Sequence, residues 1–481
     1  MGRSLKSNFI LNFLNTVSVV LFPMITFPYV SRILFADGMG LVNFQKSIID
    51  YVGMFVCLGI PTYAVREIAR VRDNTKERDK TTVEILLLNI ILMLIGYTVI
   101  ILLALNLNTL QNDLKLFFIL SLSIMLMTVG CEWFYKGIED FKYITIRGLT
   151  IKAISLIFLF SLVKTKQDIL WYAVYNVFGV TGGNIFNLVR LKKYVDLGNI
   201  NFRTINIRKH LKPSINSFVL TLFFAIYITL NTMMLGFLCN NQSVGYFTAS
   251  TKITQIALSV VNSLGIVLLP RLSHLVHLGK KEEFQQIAQK ALHFIVAISL
   301  PIIAGCMLLS PYIIHIFCGP SYNPAIINLI LISPVILIIG LSSFIGIQIL
   351  YPQGKERIVI ICTIIGIATN IILNFYLIKQ YAHNGAAVSA VMGQLIILIS
   401  LFILGRNYHA LRFSRPILIY VVATVFMVII IYLSLGITNK YYVKIPLSII
   451  VGGFAYCSVL VLFKDPIFLS INDLLFKIKR Q

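Results

Sequence analysis

Long apolar runs separated by short polar segments fill this chain from end to end. A helix rises 1.5 Å per residue, so about 20 apolar residues cross a hydrocarbon layer of about 30 Å. Fourteen runs reach that length, near 8–31, 40–64, 82–106, 114–135, 145–163, 169–189, 214–238, 244–268, 288–310, 325–350, 357–378, 384–405, 416–436 and 444–463. The pattern predicts an all-α polytopic membrane protein of about 14 transmembrane helices.

Basic residues orient the pattern. With the N-terminus in the cytoplasm and the spans alternating, 31 of the 41 Lys and Arg residues fall on cytoplasmic segments and 7 on outer ends and loops. The remaining 3, Lys46, Lys152 and Lys252, lie within spans. This asymmetry follows the positive-inside rule and predicts a multi-pass protein with both termini cytoplasmic. The longest cytoplasmic connection, Leu191 to Pro213, separates the first twelve spans into six and six. The predicted organisation is an N-terminal six-helix bundle over 1–190, a basic cytoplasmic linker over 191–213 and a C-terminal six-helix bundle over 214–405. Residues 406–481 add two transmembrane helices and a cytoplasmic tail. The second span can be laid on the eighth. Gly40 meets Gly245 and Arg66 meets Arg271 at an offset of 205, while Lys46 meets Lys252 and Gly59 meets Gly265 at 206. Six spans per unit would give the halves one orientation, a parallel pseudo-repeat.

Composition narrows the function. The 481 residues are 58% hydrophobic and 12% charged, where a soluble domain carries about 25% charged residues. Mean hydropathy is +0.87. The net charge of +23 does not indicate nucleic acid, because it is dispersed over short loops. Seven cysteines without a CxxC indicate neither a disulfide framework nor a zinc site. The seven histidines form no metal-ligand spacing, and no P-loop, GxSxG or acidic catalytic motif occurs, so no enzyme and no cofactor is expected. The longest outer segment, Ser310 to Pro324, leaves no room for a catalytic outer domain. The start, MGRSLK and the apolar run after it, resembles a signal peptide or a myristoylation site. No small-residue cleavage site follows, so it is read as the first retained span.

The candidate chemistry is charge inside the membrane, which is costly and marks pathways or packed polar interiors. Lys46 and Asp50 are spaced i,i+4 and share one helix face. Lys46 and its repeat counterpart Lys252 either face a shared cavity or extend to the outer interface. Asp50 is either the counter-ion of Lys46 or a titrating or cation-binding group that couples transport to an H+ or Na+ gradient. Lys152 stands near the cytoplasmic side, and Arg32 and Arg271 stand at span ends, each an anchor or a cavity ligand. Basic groups in a cavity suit an anion, diphosphate above all, and the apolar walls suit an acyl or prenyl tail. Pro23 and Pro28 are expected to kink or break the first span, and Pro334 the tenth. Asn231, Asn370 and Asn374 are expected to hydrogen-bond between helices.

Four stretches carry a family resemblance: PYVSRILFADGMGLVNFQKSI (Pro28 to Ile48), EWFYKGIEDFKYITIRGLTIKAISL (Glu132 to Leu156), VGYFTASTKI with LLPRLS (Val244 to Ser273), and NIILNFYLIKQYAHNGAAVSAVMGQ (Asn370 to Gln394). In this order they resemble Wzx-type polysaccharide flippases, MATE-like members of the multidrug/oligosaccharidyl-lipid/polysaccharide exporter superfamily. The resemblance implies two six-helix bundles around a central cavity. It implies flipping of undecaprenyl-diphosphate-linked oligosaccharide, for O-antigen, capsule or a related glycan, across the bacterial cytoplasmic membrane by alternating access, coupled to an ion gradient. Glycosyltransferases and a glycan polymerase are the partners it implies, with membrane lipids around the chain. Gln394 stands where many relatives have glutamate, and LFADGMG replaces their LGPEG-like turn. A lipid II-type or multidrug exporter of the same superfamily, and a membrane glycan polymerase or ligase, are the competing expectations.

Overall fold

A computed structural model describes residues 5–196, 198, 204–408, 411, 415–436 and 441–465. The tail expected after 465 lies outside the described residues. Every regular element among them is a helix. The chain forms two compact units, Met1–Gly245 and Tyr246–Gln481.

The first unit runs through α1 (Leu5–Cys57), α2 (Ile60–Val71), α3 (Thr75–Asn106), α4 (Asn108–Gln111), α5 (Leu114–Val129), α6 (Glu132–Gly137), α7 (Phe141–Leu162), α8 (Ile169–Val177), α9 (Asn184–Leu191) and α10 (Arg208–Leu238). A π-helical turn, Phe178–Gly182, joins α8 towards α9. Capping sets several starts. Asn74 accepts from the Glu77 N–H ahead of α3 and Asp140 from the Tyr143 N–H ahead of α7. Pro61 sits in the first turn of α2, where its missing N–H costs nothing.

In the first spans the prolines bring no break, and the second span is corrected. The chain stays helical through Pro23 and Pro28, and the non-helical residue is Phe35, at φ 56 and ψ −176. A missing N–H does not end a helix in a bilayer when hydroxyls and local adjustments satisfy the freed groups. The second span is not one helix over 40–64. It stops at Cys57, and Leu58 (φ 41) and Gly59 (φ 69) turn the chain before α2. Gly59 takes the left-handed conformation cheaply, and a Cβ there would strike the α10 backbone at Ser214 and Phe218. Gly40 and Gly245, matched by the repeat, stand against each other: a Cβ on Gly40 would hit the Asn241 carbonyl, and one on Gly245 the Ala36 carbonyl. Small residues permit such close backbone approach.

The second unit holds most of α11 (Asn241–His277), then α12 (Lys281–Leu308), α13 (Ser310–Cys318), α14 (Ala325–Ile332), α15 (Val335–Ser343), α16 (Glu356–Leu404), α17 (Arg415–Ser434) and α18 (Tyr441–Leu462). Pro334 does separate α14 from α15. Ala382, at φ 47, breaks α16. Its two halves then pack back on each other, because a Cβ on Gly366 would strike Ile397, one on Gly393 would strike Asn370, and one on Gly385 would strike Leu377. Asn374 donates to Asn370, one turn earlier in the same helix, at 3.2 Å. The pair α17 and α18 closes on α12. Tyr456 donates to the Ala297 carbonyl at 2.7 Å, and Tyr420 to the buried Asp465 carboxylate at 2.9 Å.

Nine helices among the described residues are long and apolar enough to cross a membrane, or ten with the bent pair Asn241–Ser263 and Leu268–His277. The chain is a multi-pass membrane protein. That measure takes α1 and α16 once each, although each contains one non-helical residue between two of the runs expected from sequence. Outward-facing apolar residues such as Leu94, Ile157, Leu418 and Phe454 are exposed, as lipid contact requires.

Candidate functional site

The second half of α1, after Phe35, positions the charged pair. Its i,i+4 spacing brings the Lys46 ammonium to 2.6 and 2.7 Å from the two Asp50 carboxylate oxygens. The side chains are 35% and 39% exposed, so neither charge is fully desolvated. Both line a cavity of about 380 Å³ within the first unit. Its walls are mostly apolar: Ile49 and Met54 from α1, Leu120, Ile124 and Met127 from α5, and Val177 from α8. Thr62, Ser123, Asn176 and Thr181 add uncharged polar groups. Among the described lining residues Lys46 and Asp50 carry the formal charge. The site therefore presents a closed ion pair at an apolar hollow.

The other predicted residues are not among those that line this hollow. Lys152, on α7, donates to the Ser18 hydroxyl at 2.6 Å and sits 5.7 Å from the Phe22 ring centroid. It reaches the first half of α1 and does not line the Lys46 cavity. Arg32 is exposed on α1. Lys252 and Arg271 lie on α11 in the second unit, half-buried and exposed. None of the seven cysteines, all of them among the described residues, forms a disulfide. Among the described residues no group of three or more His, Cys, Asp or Glu could hold a metal ion.

A second charged cluster escaped the sequence reading. Glu84 on α3 is 0% exposed. Its carboxylate accepts from Lys209 Nζ at 2.6 Å and from the Asn206 N–H at 2.8 Å, and lies 3.0 Å from His210 Nε2. The other ring nitrogen of His210 lies 2.6 Å from the Tyr63 hydroxyl of α2. Burial pushes the His210 imidazole below its ordinary value, partly offset by its bond to Glu84. The segment between α9 and α10 is held further along. Arg78 donates to the Tyr194 carbonyl at 2.7 Å, and the Asp196 N–H to Asp79 at 3.2 Å. Arg190 pairs with Asp140 at 2.8 Å and lies 3.9 Å from the Tyr143 ring centroid. Glu132 joins Lys136 and Arg147, each at 2.9 Å. The stretch Glu132 to Leu156 thus contributes an aromatic and ionic clamp. The available signal was an acid just inside the third apolar run, at Glu84, and a Lys-His step ahead of the seventh.

Comparisons with known proteins agree with this architecture. A family profile described as polysaccharide biosynthesis protein matches residues 5–276. The chain belongs to this family of Wzx-type flippases. A profile described as lipid II flippase MurJ matches residues 148–452. A protein named for O-antigen transport from Escherichia coli (strain K12) is 25% identical over 84% of this chain and 97% of its own length. A similarly named protein from Shigella dysenteriae is 27% identical over 82% and 98%. Among solved structures, a lipid II flippase MurJ in an inward closed conformation aligns with a TM-score of 0.75 and 16% identity, over 95% of this chain and all of that one. An inward-facing multidrug resistance MATE family transporter aligns at 0.65 and 14% identity, over 80% and 93%. These likenesses show the fold. The family members and relatives matched are transporters and flippases, so the chain is a transporter and not an enzyme.

Proposed function

We propose that this protein flips undecaprenyl-diphosphate-linked oligosaccharide, for O-antigen, capsule or a related glycan, across the bacterial cytoplasmic membrane. Both termini would face the cytoplasm, fourteen spans would form two six-helix bundles plus a C-terminal pair, and the bundles would alternate access to a central site. Lys46, Lys252, Arg32, Arg271 and Lys152 would draw in the diphosphate through charge-assisted hydrogen bonds. Asp50 would serve as counter-ion or as the coupling site for H+ or Na+. Glycosyltransferases would supply the substrate and a polymerase would consume it. The observation that carries this reading is a lysine-aspartate pair held at an apolar-walled hollow in a member of this family. Lys46→Ala and Lys252→Ala are each expected to abolish glycan export, read as surface polysaccharide, at unchanged protein level in the membrane. Normal export by both variants sinks the cationic-cavity reading.

A second reading, a lipid II-type substrate, draws support from the profile match over residues 148–452 and from the fold alignment. Complementation of cells depleted of their lipid II flippase separates the two: growth restored by this chain favours lipid II.

A further inference from the structure

We infer that Asp50 is a built-in competitor for the substrate's diphosphate: it occupies the Lys46 ammonium in the empty site, yields to the incoming anion, and returns to eject it. This rests on the anionic-headgroup reading above and deepens it.

The geometry carries the inference. The ammonium reaches both oxygens of one carboxylate, at 2.6 and 2.7 Å, so its hydrogen-bonding capacity is largely spent on Asp50. An arriving anion meets a neutral pair, not a free cation. Both side chains are more than a third exposed, in a hollow where the anion can reach them. A pair so placed is held weakly, because solvent screens it. A pair buried to exclusion of water would resist exchange, since opening it would strand two desolvated charges.

The surroundings favour exchange over a fixed structural role. Among the described residues of α2, α5, α8, the π turn and α10 that line the hollow there is no second acid or base; the titratable lining neighbour among them and α1 is the Cys57 thiol, on α1 itself. Among the described residues that line the hollow no other cation competes for Asp50 and no other acid for Lys46. Diphosphate brings more negative charge than one carboxylate, so it wins the ammonium at close range. Thr62, Ser123, Asn176 and Thr181 line the same hollow and offer uncharged partners to the displaced carboxylate. A transport site must bind strongly enough to load and weakly enough to release. An intramolecular anion on the adjacent helical turn meets both demands, because its tethering makes its local concentration high and constant.

The test is equilibrium binding of farnesyl diphosphate to the full-length protein in detergent, with glycan export in cells alongside. Asp50→Asn should bind about fivefold tighter than wild type, the scale of a half-exposed ion pair. Its export should be slower, because release is impaired. Asp50→Glu should return affinity toward wild type. Asp50→Ser should tighten binding as Asn does, which covers any failure of the Asn variant to fold. The Lys46→Ala, Asp50→Asn double variant should bind no better than Lys46→Ala alone. Weaker or unchanged binding by both Asp50→Asn and Asp50→Ser overturns the competitor role while leaving the anionic-headgroup reading intact. Tightening that survives in the Lys46→Ala background also overturns it. If wild type and Lys46→Ala bind the diphosphate equally, the headgroup reading fails first and takes this one with it.

Discussion

Two charged clusters in the first unit make opposite use of the same chemistry. At Lys46–Asp50 a lysine meets a carboxylate at 2.6 Å with both side chains more than a third exposed. At Glu84 a lysine also meets a carboxylate at 2.6 Å, but that carboxylate is fully buried and is further satisfied by a backbone N–H and a histidine. Contact distance does not separate the two; burial does. An exposed pair contributes about 0–1 kcal/mol and can trade partners. A buried carboxylate cannot give up its partners without leaving a charge uncompensated in a poorly polarisable interior. The first arrangement suits a site that loads and unloads. The second joins α2, α3 and the start of α10.

The widest gap between the clusters should appear on truncation. Glu84→Ala leaves the buried His210 and the Asn206 N–H without their acceptor and is expected to cost about 1–3 kcal/mol, read as a lower midpoint of thermal unfolding in detergent. A midpoint unchanged from wild type would break the comparison. Acid tests the same cluster next. Burial lowers the folded His210 value, so the folded state binds a proton less readily than the unfolded chain. The stability held above the ordinary histidine value of 6.5 is then lost as pH falls through the depressed folded value. Unfolding midpoints measured from pH 8 to pH 5 should fall more steeply for wild type than for His210→Gln. Tyr63→Phe removes one hydrogen bond to His210 and should cost about 1 kcal/mol. Smallest of all, Lys46→Ala should shift the unfolding free energy by less than about 1 kcal/mol. That near-silence in stability, set against loss of glycan export, is the sharpest contrast the two clusters offer.

The long apolar runs predicted the helices because helical crossing length is a property of consecutive residues. The Lys46–Asp50 pair was legible for the same reason, since i,i+4 neighbours meet whatever else the chain does. Pro334 was read correctly as a break, yet Pro23 and Pro28 were not breaks at all. A proline's effect depends on what satisfies the groups it frees, and that is settled by neighbours. Phe35 and Ala382 interrupt helices at positive φ, and the turn signals beside them, Asp37-Gly38 and Asn384-Gly385, stand two residues further on, so the sequence marks the neighbourhood of each break but not the residue that takes it. Such conformations persist where surrounding packing over-determines them.

What the chain's order of residues determined alone is a multi-pass helical membrane protein, its charge asymmetry, and one ion pair on one helix face. Each of these is written in local periodicity or in composition. The tertiary structure decided that Gly40 and Gly245 pack on each other, that α16 folds back at Ala382, and that Glu84 meets His210, 126 positions away. It also decided that one lysine-carboxylate pair is part-exposed at a hollow while the other keeps its carboxylate fully buried. Burial is a sum over neighbours brought from distant parts of the chain, so no local pattern encodes it, and here burial separates the exchangeable pair from the fixed one.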